Sequence, residues 1–211
     1  MKKKIVIMGA GEFSREIYSV VFDCIAAGAD WEFRGFIDDR LHQLDDFPHE
    51  GAMLGAIEAY EPAVDDLVIP AFGDSEVREK YVRILQGKGA RFGTLIHPTA
   101  SVGHHVAIGE GSVLMQFVTV TADAKIGKFV NVGVRSTISH GNKIGDFVSM
   151  SSQCCMSGGV TVEDHVFMGT NVTIVPRVTV GRSAYLCAGA VVMKDVNPCR
   201  RAMGNPAREY A

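Results

Sequence analysis

The sequence predicts a chain in two parts, a small parallel α/β domain followed by a parallel β-helix. Two observations carry this. The first half alternates short apolar runs with helical periodicity. From Ile96 onward an aliphatic residue recurs at every sixth position without an insertion.

In the first part, residues 1–94, Lys4 to Met8 is a continuous apolar run of the buried-strand kind. Gly9-Ala10-Gly11 is a turn, and Glu12 to Ala27 places Phe13, Ile17, Val20, Val21, Cys24 and Ile25 at helical spacing. Further strands fit Phe33 to Ile37 and Leu67 to Phe72, and Ser75 to Gln86 forms a second amphipathic helix with Ser75 as its expected cap. Strand, turn and helix in this order imply a parallel sheet. Residues 38–63 are the least regular stretch and are expected to hold loops and one short helix.

In the second part, residues 95–211, the period-six series runs Ile96, Val102, Ile108, Leu114, Val120, Ile126, Val132, Ile138, Ile144, Met150, Met156, Val162, Met168, Ile174, Val180, Leu186, Val192. Such a hexad fits neither a helix nor simple strand alternation and is the signature of a β-helix. Three hexads make one triangular coil, and coils stack about 4.8 Å apart, the spacing of paired strands. Glycine often follows the aliphatic residue, as in Ile108-Gly109, Ile126-Gly127, Ile144-Gly145 and Val180-Gly181, where a corner is expected. The fifth place of each hexad is also small or aliphatic, with Asn142 its only polar amide. Flat prism faces favour association about the axis, so a homotrimer is expected. Pro198 to Ala211 leaves the repeat and is expected to cap the last coil.

A net charge of −3 gives no electrostatic footprint for nucleic acid or an anionic membrane. No stretch approaches the roughly 18 apolar residues of a membrane span, and Ile5 to Met8 is too short for the core of a signal peptide. Cys24, Cys154, Cys155, Cys187 and Cys199 are odd in number and form no C-x-x-C, which reads as reduced thiols in a cytoplasmic protein without a metal site.

One residue stands out within the repeats. In T-I-S-H-G-N-K-I-G, residues 137–145, His140 has Ala122 one coil before it and Gly158 one coil after, so small neighbours leave the imidazole room. Asn142 falls in an inward place between Ala124 and Val160, where an unpaired amide costs about 1 to 3 kcal/mol. On position alone, His140 is either one of seven histidines occupying a corner or a functional group. His104 shares its column two coils away, about 10 Å by strand spacing, too far for one shared metal.

The chain as a whole resembles the sialic acid O-acetyltransferase (NeuD) family of hexapeptide-repeat sugar acyltransferases, which includes bacterial enzymes that N-acetylate UDP-amino-sugars. The resemblance rests on I-V-I-M-G-A-G-E-F-S-R-E-I (5–17), G-F-I-D-D (35–39), A-F-G-D-S-E-V-R (71–78), L-I-H-P-T-A (95–100), T-I-S-H-x-x-x-I-G-D-F-V (137–148) and G-N-P-A-R (204–208). It implies a Rossmann-like domain followed by a left-handed β-helix, assembled as a trimer with acetyl-CoA between neighbouring prisms, working in bacterial surface-glycan synthesis. It also implies that His140 is the general base for attack of a sugar amine or hydroxyl on the thioester. An imidazole titrates near neutrality and suits that role, and the N–H of Gly158 or Gly159 is the expected oxyanion donor by stacking. The implied nucleotide-sugar contacts are Glu12, Phe13, Ser14, Asp38, Asp39 and Gly73. The implied acetyl-CoA contacts are Ser149, Gly158, Thr170 and Ala188. A glycine turn at a helix start suits a diphosphate, and an acidic pair after the second strand suits ribose hydroxyls or a base N–H. Ser14 stands where a dinucleotide fingerprint has its third glycine, which disfavours NAD.

Three positions depart from the family pattern. Gly141 stands where an acid usually follows the histidine, Ser149 where many members have a second histidine, and Phe13 where many have histidine or glycine. Without the acid, His140 needs another orienting group, for which Asn142 or a neighbouring subunit is the expectation. The alternative reading is a non-catalytic trimeric β-helix that binds a nucleotide sugar or serves a structural role. A ping-pong route through Cys154 or Cys155 is disfavoured, since Cys154 points inward and neither thiol has an evident activating base.

Overall fold

The computed structural model describes residues 2–210, and the chain divides into two compact units, Met1–Pro98 and Thr99–Ala211. The first is a parallel sheet in the order β3-β2-β1-β4, with β1 at Lys3–Met8, β2 at Trp31–Ile37, β3 at Ala52–Met53 and β4 at Asp66–Pro70. Ile5 to Met8 are fully buried, as a central strand covered on both faces requires. Helix α1, Glu12–Ala26, buries Ser14, Ile17, Val20, Val21 and Cys24 along one stripe. Helix α2, Ser75–Gly87, buries Arg78, Val82 and Leu85.

Two details differ from the sequence-based expectation. The cap of α2 is Asp74, not Ser75. The Asp74 carboxylate accepts from the N–H groups of Glu76 and Val77 at 2.9 and 3.0 Å, while Ser75 is the first helical residue. Residues 38–63 hold a short 3₁₀ helix, Ile57–Ala59, but also the edge strand β3. That strand exists because Gly35 has no Cβ: a methyl there would collide with the Ala52 backbone that lies against it.

The irregular segment before β4 is tied down by one buried carboxylate. Asp66, with no exposed side-chain surface, accepts from Arg34 Nη1 at 2.7 and 2.8 Å, from the Tyr60 hydroxyl at 2.6 Å and from the Ala63 N–H at 2.7 Å. Burial and the hydrogen bond to Asp66 both push the Tyr60 phenol upward, so it remains a donor.

The second unit is the parallel β-helix. Two-residue strands from Ser101–Val102 to Val191–Val192 recur every six residues, each ending on an aliphatic residue of the repeat. Each pairs in parallel with the strand 18 residues away, for example Lys125 with Lys143 and Ile126 with Ile144. The strands form three sheets, one containing Thr137–Ile138 and Cys155–Met156, a second Lys143–Ile144 and Thr161–Val162, a third Ser149–Met150 and Phe167–Met168. The fold is therefore the α/β domain plus left-handed β-helix that the repeat and the resemblance predict. A second inward column, from Val118 and Ala124 through Val172 to Ala190, completes the core.

The corners do not fall where glycine content suggests. From His105 to Gly189 every sixth residue has a positive φ, between 57 and 72°, and this left-handed residue lies three places after the aliphatic one. Most are not glycine; Phe117, Asp123, Arg135 and Gln153 all adopt it. The glycines immediately after the aliphatic residue serve another purpose. A Cβ on Gly145 would press on Asp164 and one on Gly181 would come within 2.5 Å of Pro198 N, so these positions are small because the next coil is too close.

Polar residues in the inward column share one task. Ser112 Oγ accepts from Val130 N–H at 3.0 Å, Ser136 Oγ from Cys154 N–H at 3.1 Å, and Asn142 Oδ1 from Val160 N–H at 2.8 Å, each tethering the same place one coil on. The tail continues the third sheet with Arg201–Met203, against which Arg208–Tyr210 pairs antiparallel.

Candidate active site

In the first unit the relevant loops lie at the carboxyl ends of β1, β2 and β4, the edge where open α/β sheets bind ligands. The turn after β1 needs glycine at Gly9, whose φ is +112° and whose missing Cβ would lie 3.1 Å from the Ala71 carbonyl. Gly11 is the N-cap of α1 and has no side chain to satisfy the first N–H groups of the helix; that of Ser14 turns back to the Gly11 carbonyl at 3.0 Å, which leaves those of Glu12 and Phe13 for an anion. Glu12 is exposed at the helix start, Phe13 is half-buried, and Ser14 is buried with its hydroxyl donating to the Ala71 carbonyl at 3.3 Å.

The acidic pair divides into two roles. Asp38 is buried and its oxygens accept from the N–H groups of Ala10 and Arg40, both at 2.7 Å, so it braces the turn. Asp39 is exposed; it accepts from Ile57 N–H at 3.0 Å and from the Tyr81 hydroxyl at 2.6 Å. Gly73 is exposed, and its carbonyl and that of Phe72 accept from Arg78 Nη1 at 3.3 and 2.6 Å. Arg78 is fully buried, and burial lowers its guanidinium to about 10. Ala10, Arg40, Tyr81 and Arg78 are the participants that sequence reasoning missed. Arg78 and Tyr81 were findable in principle, since they are one helical turn apart just after the Gly73 loop.

In the second unit His140 lies on the corner between the sheets of Thr137–Ile138 and Lys143–Ile144, and is exposed. Its imidazole rests against Gly158 of the next coil: a Cβ there would lie 2.5 Å from Nε2 and 3.1 Å from Nδ1. The room read from the sequence is thus filled by the ring itself. The His140 carbonyl accepts from Gly159 N–H at 3.0 Å, so the two corners are also joined through the backbone. That bond removes Gly159 from the oxyanion donors and leaves the Gly158 N–H, which has no acceptor among the described residues. Asn142 makes no hydrogen bond to the imidazole; its oxygen fixes Val160, and its Nδ2 has no hydrogen-bond partner among the described residues. Gly141 is a left-handed corner residue at φ +69°, with open space where a Cβ would be.

Of the residues implied for acetyl-CoA, Gly158 is on the His140 corner. Thr170 and Ala188 stack 18 residues apart on another corner, between the sheets of Phe167–Met168 and Thr173–Ile174, and both are exposed. Ser149 is a buried strand residue of the third sheet. One chain therefore presents His140 and the Thr170–Ala188 pair on different edges of its prism. Cys154 is buried, its thiol pushed up to about 11 by burial, which leaves it a poor nucleophile. No group of His, Cys, Asp or Glu among the described residues could hold a metal ion, and no helix is long and apolar enough to cross a membrane.

One unit thus carries a glycine turn and acids at its strand ends and the other an exposed histidine on a β-helix corner, and the chain's likeness to known proteins covers both. Residues 4–85 match the PglD N-terminal domain family. The chain is similar over 99% of its length and all of the other's to the solved structure of WeeI from Acinetobacter baumannii AYE, with 30% identity and a TM-score of 0.87. It is similar over its whole length to the acetyltransferase domain of PglB from Neisseria gonorrhoeae FA1090, solved in complex with acetyl coenzyme A, with 25% identity and a TM-score of 0.88. It is also 28% identical, over 143 residues and 64% of its length, to the GDP-perosamine N-acetyltransferase of Escherichia coli O157:H7, of which it spans 61%. On these matches the chain belongs to a family of sugar acetyltransferases.

Proposed function

We propose that the protein transfers an acetyl group from acetyl-CoA to the amine of a nucleotide-activated sugar. The observation that carries this is the His140 imidazole, exposed on its corner and seated on Gly158. His140 takes the proton of the sugar amine as nitrogen attacks the thioester carbonyl; the Gly158 N–H donates to the oxyanion; the tetrahedral species collapses by breaking the C–S bond, and the CoA thiolate is protonated as it leaves. In the first unit, the N-terminus of α1 takes the diphosphate, with Glu12, Phe13, Ser14 and Gly73 around it and Asp38 bracing the turn. Asp39 addresses the nucleoside.

Nitrogen is favoured over oxygen as acceptor by the likeness to an N-acetyltransferase of a GDP-linked sugar. Assignment to the sialic acid O-acetyltransferase branch rests on the sequence motifs alone. Acetyl-CoA as donor is supported by the complex of the Neisseria relative. A homotrimer is supported by the corner geometry: another copy can bring a Thr170–Ala188 edge beside a His140–Gly158 edge, which a single prism holds apart. Reduced thiols and these substrates suit the cytoplasm.

The test is a thiol-release assay with acetyl-CoA and a panel of UDP-, GDP- and dTDP-linked amino sugars. Turnover with at least one is expected, and His140→Ala is expected to lower it by about 10² or more without unfolding the chain. Nucleotide binding without turnover on any acceptor would leave the non-catalytic reading standing instead.

A further inference from the structure

The prism edge that carries Thr170 and Ala188 changes character toward the start of the β-helix. Its left-handed residues, stacked 18 apart, are Phe117, Arg135, Gln153, Asn171 and Gly189. Glycine and asparagine take that conformation most readily, so the turn itself calls for neither Phe117 nor Arg135. Phe117 leaves 55% of its surface exposed, and the Arg135 guanidinium lies over its ring, 5.8 Å from the centroid. Each corner is pinned through its backbone: the Phe117 N–H donates to Thr99 Oγ1 and the Arg135 N–H to the Gln116 carbonyl, both at 3.0 Å. The guanidinium itself makes no hydrogen bond or ion pair among the described residues. An exposed aromatic ring beside unspent N–H donors is the composition of a ligand subsite, apolar area with a few polar groups to fix orientation.

Height along the prism decides which ligand. Arg135 belongs to the same coil as His140, and Phe117 to the coil before it. On the Phe117–Arg135 edge, Thr170 and Ala188 lie two and three coils further on, roughly 10 and 14 Å at strand spacing. A threefold axis along the prism keeps the coils of neighbouring copies level. Where this edge of one copy faces the His140 edge of the next, Arg135 and Phe117 stand beside and just before the imidazole, and Thr170 and Ala188 stand beyond it. With acetyl-CoA running past Thr170 and Ala188, the opposite approach to His140 is left to the acceptor. We propose that Phe117 and Arg135 of a neighbouring copy form the acceptor-sugar subsite of each active site. The ring packs against the apolar face of the sugar, and the guanidinium donates to its oxygens. These residues determine specificity and move no proton. The inference rests on the nucleotide-sugar and trimer reading above.

The experiment is steady-state thiol release by the full chain, with KM measured separately for the nucleotide amino sugar and for acetyl-CoA. Phe117→Ala and Arg135→Ala are each expected to raise the sugar KM about tenfold, the loss of one ring contact or one charged hydrogen bond. The acetyl-CoA KM, the melting curve and the trimer seen by light scattering should stay as in the unaltered chain. A second arm co-expresses His140→Ala with a double variant, Phe117→Ala plus Arg135→Ala, each nearly inactive alone at sugar concentrations below KM. Random trimers place an intact His140 beside an intact Phe117–Arg135 pair of the next copy in about a quarter of sites, so about a quarter of the activity should return. An unchanged sugar KM in either single variant, a loss confined to acetyl-CoA, or no recovery on mixing overturns the inference while the nucleotide-sugar reading stands. If the unaltered chain turns over no nucleotide amino sugar, that reading fails and takes the inference with it.

Discussion

Replacing Gly158 by alanine isolates what holds the His140 ring in place. The added methyl would lie 2.5 Å from Nε2 and 3.1 Å from Nδ1, against the roughly 3.4 to 4 Å of ordinary contact, so the imidazole must retreat by about 1 Å. Gly158 does not occupy a left-handed conformation, so alanine strains no backbone, and the ring is on an exposed corner where it can swing outward. Folding stability should therefore change by less than about 0.5 kcal/mol. Catalysis should not be so tolerant: a displacement of about 1 Å of a positioned base costs on the order of 10² in rate. The assay is steady-state thiol release for the single variants and for the double variant with His140→Ala. The expected pattern is a large loss in Gly158→Ala with a near-normal melting curve, and no further loss when it is added to His140→Ala. Full activity in Gly158→Ala would refute the argument that this contact sets the ring's working position.

Three further outcomes follow from the same geometry. Gly141→Asp should fold within about 1 kcal/mol of the original, because Asp123 already takes the left-handed corner one coil earlier and open space awaits the side chain; melting curves test this, and thiol release should show faster turnover if an acid beside the imidazole orients it. Asn142→Val leaves the buried Val160 N–H without its acceptor and should cost about 1 to 3 kcal/mol in urea unfolding, with activity falling only as the fold loosens. Asp66→Ala strands Arg34 and the Tyr60 hydroxyl together and should destabilise the first unit by about 3 to 5 kcal/mol, read from denaturant titration followed by probes in residues 2–98.

Much of this architecture was legible because it is periodic. An aliphatic residue at every sixth place fixes strand position, stacking partner and inward column at once, so Ala122 and Gly158 could be named as the neighbours of His140 before any coordinates. What was not legible depends on side chains choosing among partners. The glycines after each aliphatic residue suggested corners, but contact with the next coil makes them small, while Phe117, Arg135 and Gln153 take the left-handed turns. Ser75 is a good cap by type, yet Asp74 precedes it and wins with a carboxylate that reaches two N–H groups. In the first unit the motif G-F-I-D-D pointed to two acids, but only folding reveals that Asp38 is turned to the turn backbone and Asp39 to Tyr81. The strand β3 rests on a two-residue pairing against Gly35, a tertiary event with no local pattern to announce it.

The run of left-handed corners bears on how such a rod can diversify. Histidine, phenylalanine, aspartate, arginine, glutamine, asparagine and serine all occupy the same backbone conformation at these corners. The stack above and below enforces the turn, so the backbone accepts many side chains there, although on one edge Phe129, Phe147 and His165 stack on each other and the two phenylalanines are buried. The inward columns are the reverse, since each side chain there touches its counterparts in two other coils. Mutation can therefore rewrite the two edges of the prism where His140 and the Thr170–Ala188 pair stand, while the scaffold between them stays fixed. A lineage built this way can explore acceptors and donors one corner at a time without passing through an unfolded ancestor.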